Sequence, residues 1–115
     1  MKKYLALYMM PVAALDGMMA RMKQDPNAGK NDMTAWQTWM NAHKNMFVEM
    51  GSPVGKNMRV TSKSASPMRN EVTGYSIIEA NSHEEAAKLF MDNPMLVGMP
   101  EAYVEVLEFT DMGSM

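Results

Sequence analysis

Two stretches in the last part of the chain decide the fold: GYSIIEANSHEEAAKLFMDNP, residues 74–94, and AYVEVLEF, residues 102–109. The first starts with an apolar segment typical of a central strand and continues into a short helix. Ser82 and Glu85 have the spacing of a capping box, so they mark where that helix begins. The second stretch predicts a closing strand. The inner face of the helix is expected to carry Ala86, Leu89, Phe90 and Met91.

The first half of the chain contains a second strand and helix pattern. KYLALYMM, residues 3–10, is apolar on both faces, which is typical of a buried strand. In residues 34–51, TAWQTWMNAHKNMFVEMG, large apolar residues recur at helical spacing, and this predicts a helix over Thr34–Met50. Asp32 is a suitable N-cap for that helix, and Gly51 is a suitable residue just after its end.

The segments between these elements complete the order. Pro11 suits the first turn of an extra helix, which is followed by a loop predicted for residues 25–32. A short strand is expected around Lys56–Val60, and residues 62–70 indicate an exposed hairpin connection to a strand at Val72–Ala80. This order predicts an α+β protein: a ferredoxin-like βαββαβ fold with one extra N-terminal helix and an antiparallel four-stranded sheet.

Composition narrows the class of protein. A chain of 115 residues suits a single domain over residues 1–115. The 13 acidic and 11 basic residues are scattered and give a net charge of -2, so no basic stripe is present for binding nucleic acid. Without cysteine there are no disulfides and no thiolate metal ligands, and no apolar run is long enough to span a membrane. We expect a cytoplasmic protein that needs no cofactor.

His43 is the candidate for catalysis that the helix pattern itself offers. It lies in the apolar stripe of the predicted helix, one turn from Trp39 and Phe47. An imidazole that faces a pocket can act as a general base near neutral pH. The alternative, and the more frequent case, is a core histidine whose ring is hydrogen-bonded for structural reasons. His83, at the first position of the later helix, is expected to be solvated.

The 17 methionines allow two interpretations. Thioethers are soft ligands that select Cu(I), and some of the methionines are close together in sequence. Most of them, however, occupy apolar positions of the predicted elements, where a flexible side chain fills space. We therefore favour packing over copper binding. A pocket lined by methionine would repack easily and accept apolar ligands of several shapes.

Aromatic residues are the candidates for contacting a substrate. A sheet face without helices of its own must be covered by a partner subunit or enclose a cavity, and tyrosine hydroxyls can then line it. Tyr4, Tyr8 and Tyr75 are on strands that can present such a face. We expect Tyr8, Trp39 and Tyr75 to contact the substrate. The alternative for the tyrosines is packing in the core or in a dimer interface, and the alternative for Trp39 is an anchor between helix and sheet.

Several of these stretches together resemble the YCII-related domain family, also called the Asp-Gly-Pro-Phe family. The resemblance rests on KKYLALYMM, on the tryptophan-containing helix that ends in Met-Gly, on TGYSIIEANSHEEAAKLFMDNPML and on YVEVLEF. It implies a ferredoxin-like fold whose sheets pair across a two-fold axis into a dimeric α/β barrel. Most members have no assigned reaction, and a His and an Asp have been suggested as a catalytic pair in some relatives.

The chain departs from the family pattern in two places. The Asp-Gly-Pro-Phe tetrapeptide is replaced by ASPMRNEV at residues 65–72, and the family's Pro-His-Leu is Pro94-Met95-Leu96 here, so that imidazole is absent. The resemblance carries over His43, near the position of a helix histidine in relatives, and Asp92, which lies beside the same proline corner.

Two functions from different classes remain open. In the first, the protein is a small enzyme that acts on an apolar or aromatic small molecule by proton transfer, with His43 as base and Asp92 or a tyrosine assisting. In the second, it is a non-catalytic protein that binds a hydrophobic metabolite or another protein. A homodimer is expected in both cases.

Overall fold

This computed structural model describes residues 1–25 and 28–110, and for residues 28–32 it describes the backbone only. The described part of the chain contains six strands and four α-helices. Short 3-10 turns follow α2 and α3. In chain order the elements are β1 (Lys2–Met9), α1 (Val12–Gln24), α2 (Ala28–Ala42), a 3-10 turn (Lys44–Met46), β2 (Phe47–Pro53), β3 (Met58–Val60), β4 (Ala65–Pro67), β5 (Val72–Ala80), α3 (His83–Leu89), a 3-10 turn (Phe90–Asp92), α4 (Pro94–Gly98) and β6 (Tyr103–Glu108).

Four of the strands form one antiparallel sheet in the order β2-β5-β1-β6. The two central strands, β1 and β5, are far apart in sequence, and Leu5 is opposite Ile77 on one side and Leu107 on the other. This is the strand order of a ferredoxin-like fold, as the sequence predicted. The short strands β3 and β4 pair with each other in a separate hairpin.

The helix-covered face of the sheet carries the core. Successive side chains of a strand point to opposite faces, so Tyr4, Ala6 and Tyr8 of β1 share one face and all three are buried. On the neighbouring strand Ile78 belongs to the same face and is fully buried. Phe90, just after α3, packs against this layer at 2% exposure, and its burial contributes about 1.5–3 kcal/mol.

The opposite face of the sheet is not covered by the described helices. Leu5, Leu7 and Ile77 lie there and are only half-buried, although they belong to the two central strands. Leu107 on the edge strand β6 is 45% exposed on the same face. We call this surface the open sheet face. Its apolar character is the reason that a partner subunit was expected from the sequence.

The last third of the chain agrees with the sequence prediction in most details. Strand β5 has the expected bounds, and the Oγ of Ser82 accepts a hydrogen bond from the backbone N–H of Glu85 at 3.1 Å, as an N-cap should. Met91 is an exception, because its side chain is 75% exposed. Helix α3 ends at Leu89, and the 3-10 turn that follows rotates Met91 away from the inner face.

The predicted helix over Thr34–Met50 is wrong at both ends. Helix α2 begins at Ala28 and ends at Ala42, so Asp32 is inside it rather than at its cap; the Asp32 side chain lies outside the described residues. The backbone N–H of His43 donates to the carbonyl of Met40, which tightens the last turn. From Phe47 onward the chain is strand β2, because β5 offers an edge to pair with.

Four further predictions of local structure also change. Residues 28–32, predicted as loop, are helical, whereas residues 26–27 lie outside the described part. The strand expected around Lys56–Val60 forms only as the short strand β3, which lies outside the main sheet. In the main sheet, β2 occupies the position that this strand was expected to take. The segment 62–70, predicted as a connection, contains strand β4. Gly51, expected after a helix, lies within β2 at a φ of 82°.

None of the helices among the described residues combines the length and apolar content that crossing a membrane requires.

Candidate functional site

A cavity of about 790 Å³ lies beside α1, between Trp36 of α2, the start of α4 and the segments 53–57 and 68–73 that flank the β3–β4 hairpin. Its volume is in the range of small-molecule sites, about 300–1,000 Å³. We call it the Met-lined cavity, because six methionines contribute to its wall: Met10, Met18, Met19, Met68, Met95 and Met99.

Helix α1 explains why the cavity is apolar. None of its residues is buried in the core. Leu15 and Met18 are instead half-buried in the cavity wall, and Met19 lines it at 52% exposure. The extra helix that the sequence predicted therefore builds the cavity rather than adding to the core.

Trp36 joins the cavity to the core. Its ring meets Tyr8 edge-on at 5.1 Å and Trp39 edge-on at 5.9 Å, measured between ring centroids. Both partners are buried. Such edge-to-face pairs hold an aromatic ring in one orientation, so the Trp36 wall is preorganised.

Three basic side chains complete the lining: Arg21 of α1, Lys56 and Arg69. Arg69 is neutralised by Asp16, with its two terminal nitrogens 2.8 and 3.2 Å from the carboxylate oxygens. The guanidinium of Arg69 holds the pKa of Asp16 below its usual range. Lys56 has a backbone φ of 55°, a conformation that costs a non-glycine residue free energy and often marks a functional position.

His43 and Asp92, the two predicted catalytic residues, are brought together by the fold. The Nε2 of His43 lies 3.8 Å from the Oδ2 of Asp92, which is within ion-pair distance but longer than a hydrogen bond. The other carboxylate oxygen accepts a hydrogen bond from the indole N–H of Trp39 at 2.9 Å. Trp39 also contacts the His43 ring at 5.5 Å. The indole therefore fixes which carboxylate oxygen faces the imidazole.

The histidine and aspartate lie apart from the Met-lined cavity. Neither residue lines the cavity, although Asp92 closely precedes Pro94 in the chain and Pro94 is a lining residue. The His43 side chain is 31% exposed and that of Asp92 70% exposed, so solutes can reach the pair directly from solvent. The structure thus contains two candidate sites: the Met-lined cavity, which Trp36 lines, and the His43–Asp92 pair, which Trp39 contacts.

Tyr8 is a core residue that contacts the cavity-lining residue Trp36 from the core side. Its hydroxyl is 2.9 Å from the Oγ of Ser76, which donates in turn to the carbonyl of Met50 at 2.6 Å. Burial raises the pKa of the Tyr8 hydroxyl, partly offset by the Ser76 hydrogen bond, so the phenol remains neutral. Tyr8 does not line the cavity, and neither does Trp39, the core anchor.

Tyr75 is on the open sheet face, opposite Leu7 of β1. Its hydroxyl donates to the Glu49 carboxylate at 2.6 Å, and this hydrogen bond raises the pKa of the phenol. The three aromatic residues expected to contact one substrate are therefore not gathered at one place. Tyr4, also considered for the uncovered face, is fully buried on the helix side instead.

Sequence reasoning missed the basic residues of the cavity wall. Arg21 and Lys56 line it, but they come from segments whose approach depends on the fold. The methionine content was the available signal, and it pointed to an adaptable pocket. Among the side chains that the structure describes, those of residues 1–25 and 33–110, no group of three or more from His, Asp and Glu is placed to hold a metal ion.

Comparison with solved structures identifies the class of fold. The chain is similar to 5-chloro-2-hydroxyhydroquinone dehydrochlorinase (TftG) from Burkholderia phenoliruptrix AC1100, solved in complex with 2,5-dihydroxybenzoquinone. The TM-score is 0.58 with 13% sequence identity, over 97% of each chain. This likeness agrees with the α+β, ferredoxin-like architecture described above. It is a likeness of fold alone.

Comparisons of sequence add no family. No family model matches the chain. No curated protein matches it either.

Proposed function

We propose that this protein binds an apolar or aromatic small molecule in the Met-lined cavity. The observation that carries the proposal is the cavity itself, whose volume of about 790 Å³ and six methionines suit such a ligand. Unbranched thioether side chains can adjust to rings of different shape, and they make favourable contacts with aromatic groups. The rigid ring of Trp36 offers one fixed surface against which a ligand can stack.

Two further observations support the proposal. The structural neighbour was solved with 2,5-dihydroxybenzoquinone, a small molecule built on a single six-membered ring, which is a ligand of the proposed size. The sequence resemblance to the YCII-related family agrees with the shared fold, and we propose membership of that family and a single domain over residues 1–115. The binding protein is the second of the two functions that the sequence left open.

The test uses the methionine methyl groups as reporters. In a sample labelled with ¹³C at the methionine methyls, 2-naphthamide, a neutral aromatic probe, should shift the signals of cavity methionines and leave that of Met91 unchanged. Met18→Glu should weaken binding about tenfold or more, because it places a charge in the apolar wall. The matched control is Met91→Glu, at an exposed position away from the cavity. The proposal would be refuted if the methyl signals of the cavity methionines do not shift when the probe is added up to its solubility limit.

A second function is favoured by the contact between His43 and Asp92. An aspartate beside a histidine can hold the imidazole in one orientation and stabilise its protonated form, which is the arrangement of a general base. Trp39 fixes Asp92 in this role through the 2.9 Å hydrogen bond. We propose that the pair transfers a proton to or from a small molecule, with His43 as the base and Asp92 as the group that orients it.

This second proposal can be tested without knowing the reaction. Transfer of a proton from carbon is detected as hydrogen–deuterium exchange of an acidic C–H group, followed by NMR for a set of hydroxylated aromatic and quinone compounds in D₂O. His43→Gln should abolish exchange, and Trp39→Phe should slow it by misplacing Asp92. His83→Gln is the control, because His83 is bonded to the Val106 carbonyl, away from the pair. Equal exchange in the His43 and His83 variants would exclude His43 as the base.

A further inference from the structure

The charge of the Met-lined cavity differs from the charge of the whole chain. The chain has a net charge of -2. The described residues that line the cavity nevertheless include Arg21, Lys56 and Arg69 and no aspartate or glutamate. A concave site lined by one sign of charge focuses the electrostatic potential and attracts ligands of the opposite sign.

Two of these cations are available to a ligand. Arg69 is held by Asp16 through two hydrogen bonds, so much of its charge is already compensated. Within the described part of the chain, Arg21 and Lys56 form no ion pair with a carboxylate. Glu101 lines a smaller neighbouring cavity together with Arg21, and no ion pair joins these two described residues.

Lys56 is held at the cavity by its neighbours. Before it, the backbone N–H of Val54 donates to the Thr73 carbonyl at 3.0 Å. After it, the Asn57 carbonyl accepts from the Met68 N–H at 3.0 Å, and the Asn57 side chain donates to Asn70 at 2.8 Å. The segment is thus fastened on both sides of the residue with a φ of 55°, so the Lys56 backbone has a defined place in the wall.

We propose that the ligand of the Met-lined cavity is an aromatic or apolar carboxylate, with its apolar body among the methionines and its anionic group between Arg21 and Lys56. This inference rests on the proposed binding function and adds the chemical class of the ligand. A guanidinium binds a carboxylate through paired N–H donors, and an ammonium adds a compact charge. The Trp36 ring and the thioethers contact the remainder of the molecule.

The experiment compares two probes of the same shape. 2-Naphthoate carries a carboxylate, whereas 2-naphthamide is neutral. At low ionic strength the naphthoate should bind about tenfold more tightly, and added salt should reduce the difference, because surface charges are screened. Binding is measured by titration of the ¹³C-labelled methionine methyl signals, which also reports whether each variant keeps its fold.

Matched variants assign the preference to the two cations. Arg21→Gln and Lys56→Gln should each remove most of the preference for naphthoate and leave the affinity for naphthamide unchanged. Lys23→Gln, in the same last turn of α1, and Lys63→Gln, in the β3–β4 hairpin, remove the same charge away from the cavity and should keep the preference. All four side chains are exposed, so the fold should tolerate the changes.

The possible outcomes distinguish a failure of this inference from a failure of the proposed binding function on which it rests. Equal affinity for the two probes, with shifts of the cavity methionines, would overturn the carboxylate preference and leave the binding function intact. A preference that Lys23→Gln or Lys63→Gln reduces as much as Arg21→Gln does would also overturn it, because net charge would then be the cause. If neither probe shifts a cavity methionine, both the inference and the proposed function fail.

Discussion

At the scale of single residues, Gly51 is the position where the backbone tolerates least change. It lies in β2 with a φ of 82°, a left-handed conformation that a side chain disfavours. A Cβ built there would be 1.7 Å from the carbonyl oxygen of Tyr75 on β5, and this atom belongs to the backbone of a central strand. The neighbour therefore cannot move aside without breaking the sheet.

Replacing Gly51 should consequently be costly. We expect Gly51→Ala to lower the free energy of unfolding by at least about 3 kcal/mol, through strain and loss of β2–β5 pairing. The control is Gly17→Ala in helix α1, where an added Cβ meets nothing within 4 Å. That change should raise stability by about 0.5–1 kcal/mol, because alanine loses less entropy in a helix. Urea unfolding measures both, and a loss below about 1 kcal/mol at Gly51 would contradict the close approach.

At the scale of elements, the boundary between α2 and β2 shows where sequence patterns stop being informative. Met46, Phe47 and Met50 continue the helical stripe of Trp36 and Trp39, so the pattern predicted one long helix. In the structure Phe47 packs against the core from a strand that pairs with β5. Short apolar runs fit either period, and the deciding contact is with residues about 30 positions away in the chain. Strand β5 and the Ser82 cap were predictable because their signals are local.

For the candidate sites, too, the sequence identifies some of the residues, whereas the contacts between them depend on the fold. His43 and Asp92 were predicted, since one lies on a clear helix and the other beside a proline corner that the family resemblance marks. The contact between them at 3.8 Å, and the indole that orients Asp92, required the fold. For β1 the prediction could not decide which face is buried, because both faces are apolar. Tyr8 was consequently expected at a substrate and is in the core.

The ion pair between Asp16 and Arg69 links α1 to the segment between β4 and β5, and it should respond to acid. Arg69 lowers the pKa of Asp16 from the usual 3.8. The stabilising contribution is therefore complete above about pH 4 and is lost as the pH falls through the lowered pKa of the folded state. Both side chains are 56% exposed, so we expect local loosening of α1 rather than unfolding.

The measurement is a pH titration of the Asp16 side-chain carboxyl carbon by NMR, with amide exchange of α1 followed in parallel. In Arg69→Gln the Asp16 titration should move up to its ordinary range, and the protection factors of the α1 amides, which are corrected for intrinsic exchange, should no longer fall as the pH is lowered from 5. The same Asp16 midpoint in both proteins would show that Arg69 does not act on this carboxylate.

At the scale of the whole molecule, the two faces of the sheet are unequal. The helix-covered face buries Tyr4, Ala6 and Ile78 completely. The open sheet face leaves Leu5, Leu7 and Ile77 half-exposed on central strands, where monomeric proteins rarely present a continuous apolar surface. A second copy of this chain, meeting it through the open sheet face, would remove these side chains from water.

We therefore expect a homodimer, and the edge strand β6 gives a variant that tests it without touching the core. Sedimentation equilibrium at micromolar concentration should give about twice the chain mass of 12.9 kDa. Leu107→Lys places a charge on the open sheet face and should shift the mass to that of one chain. Val97→Lys, at a position of α4 that is 73% exposed and not on the sheet, is the control and should remain dimeric. A wild-type protein that sediments as one well-folded chain would contradict the predicted homodimer. The Met-lined cavity would still be available for a ligand in that case, because the residues of a single subunit line it.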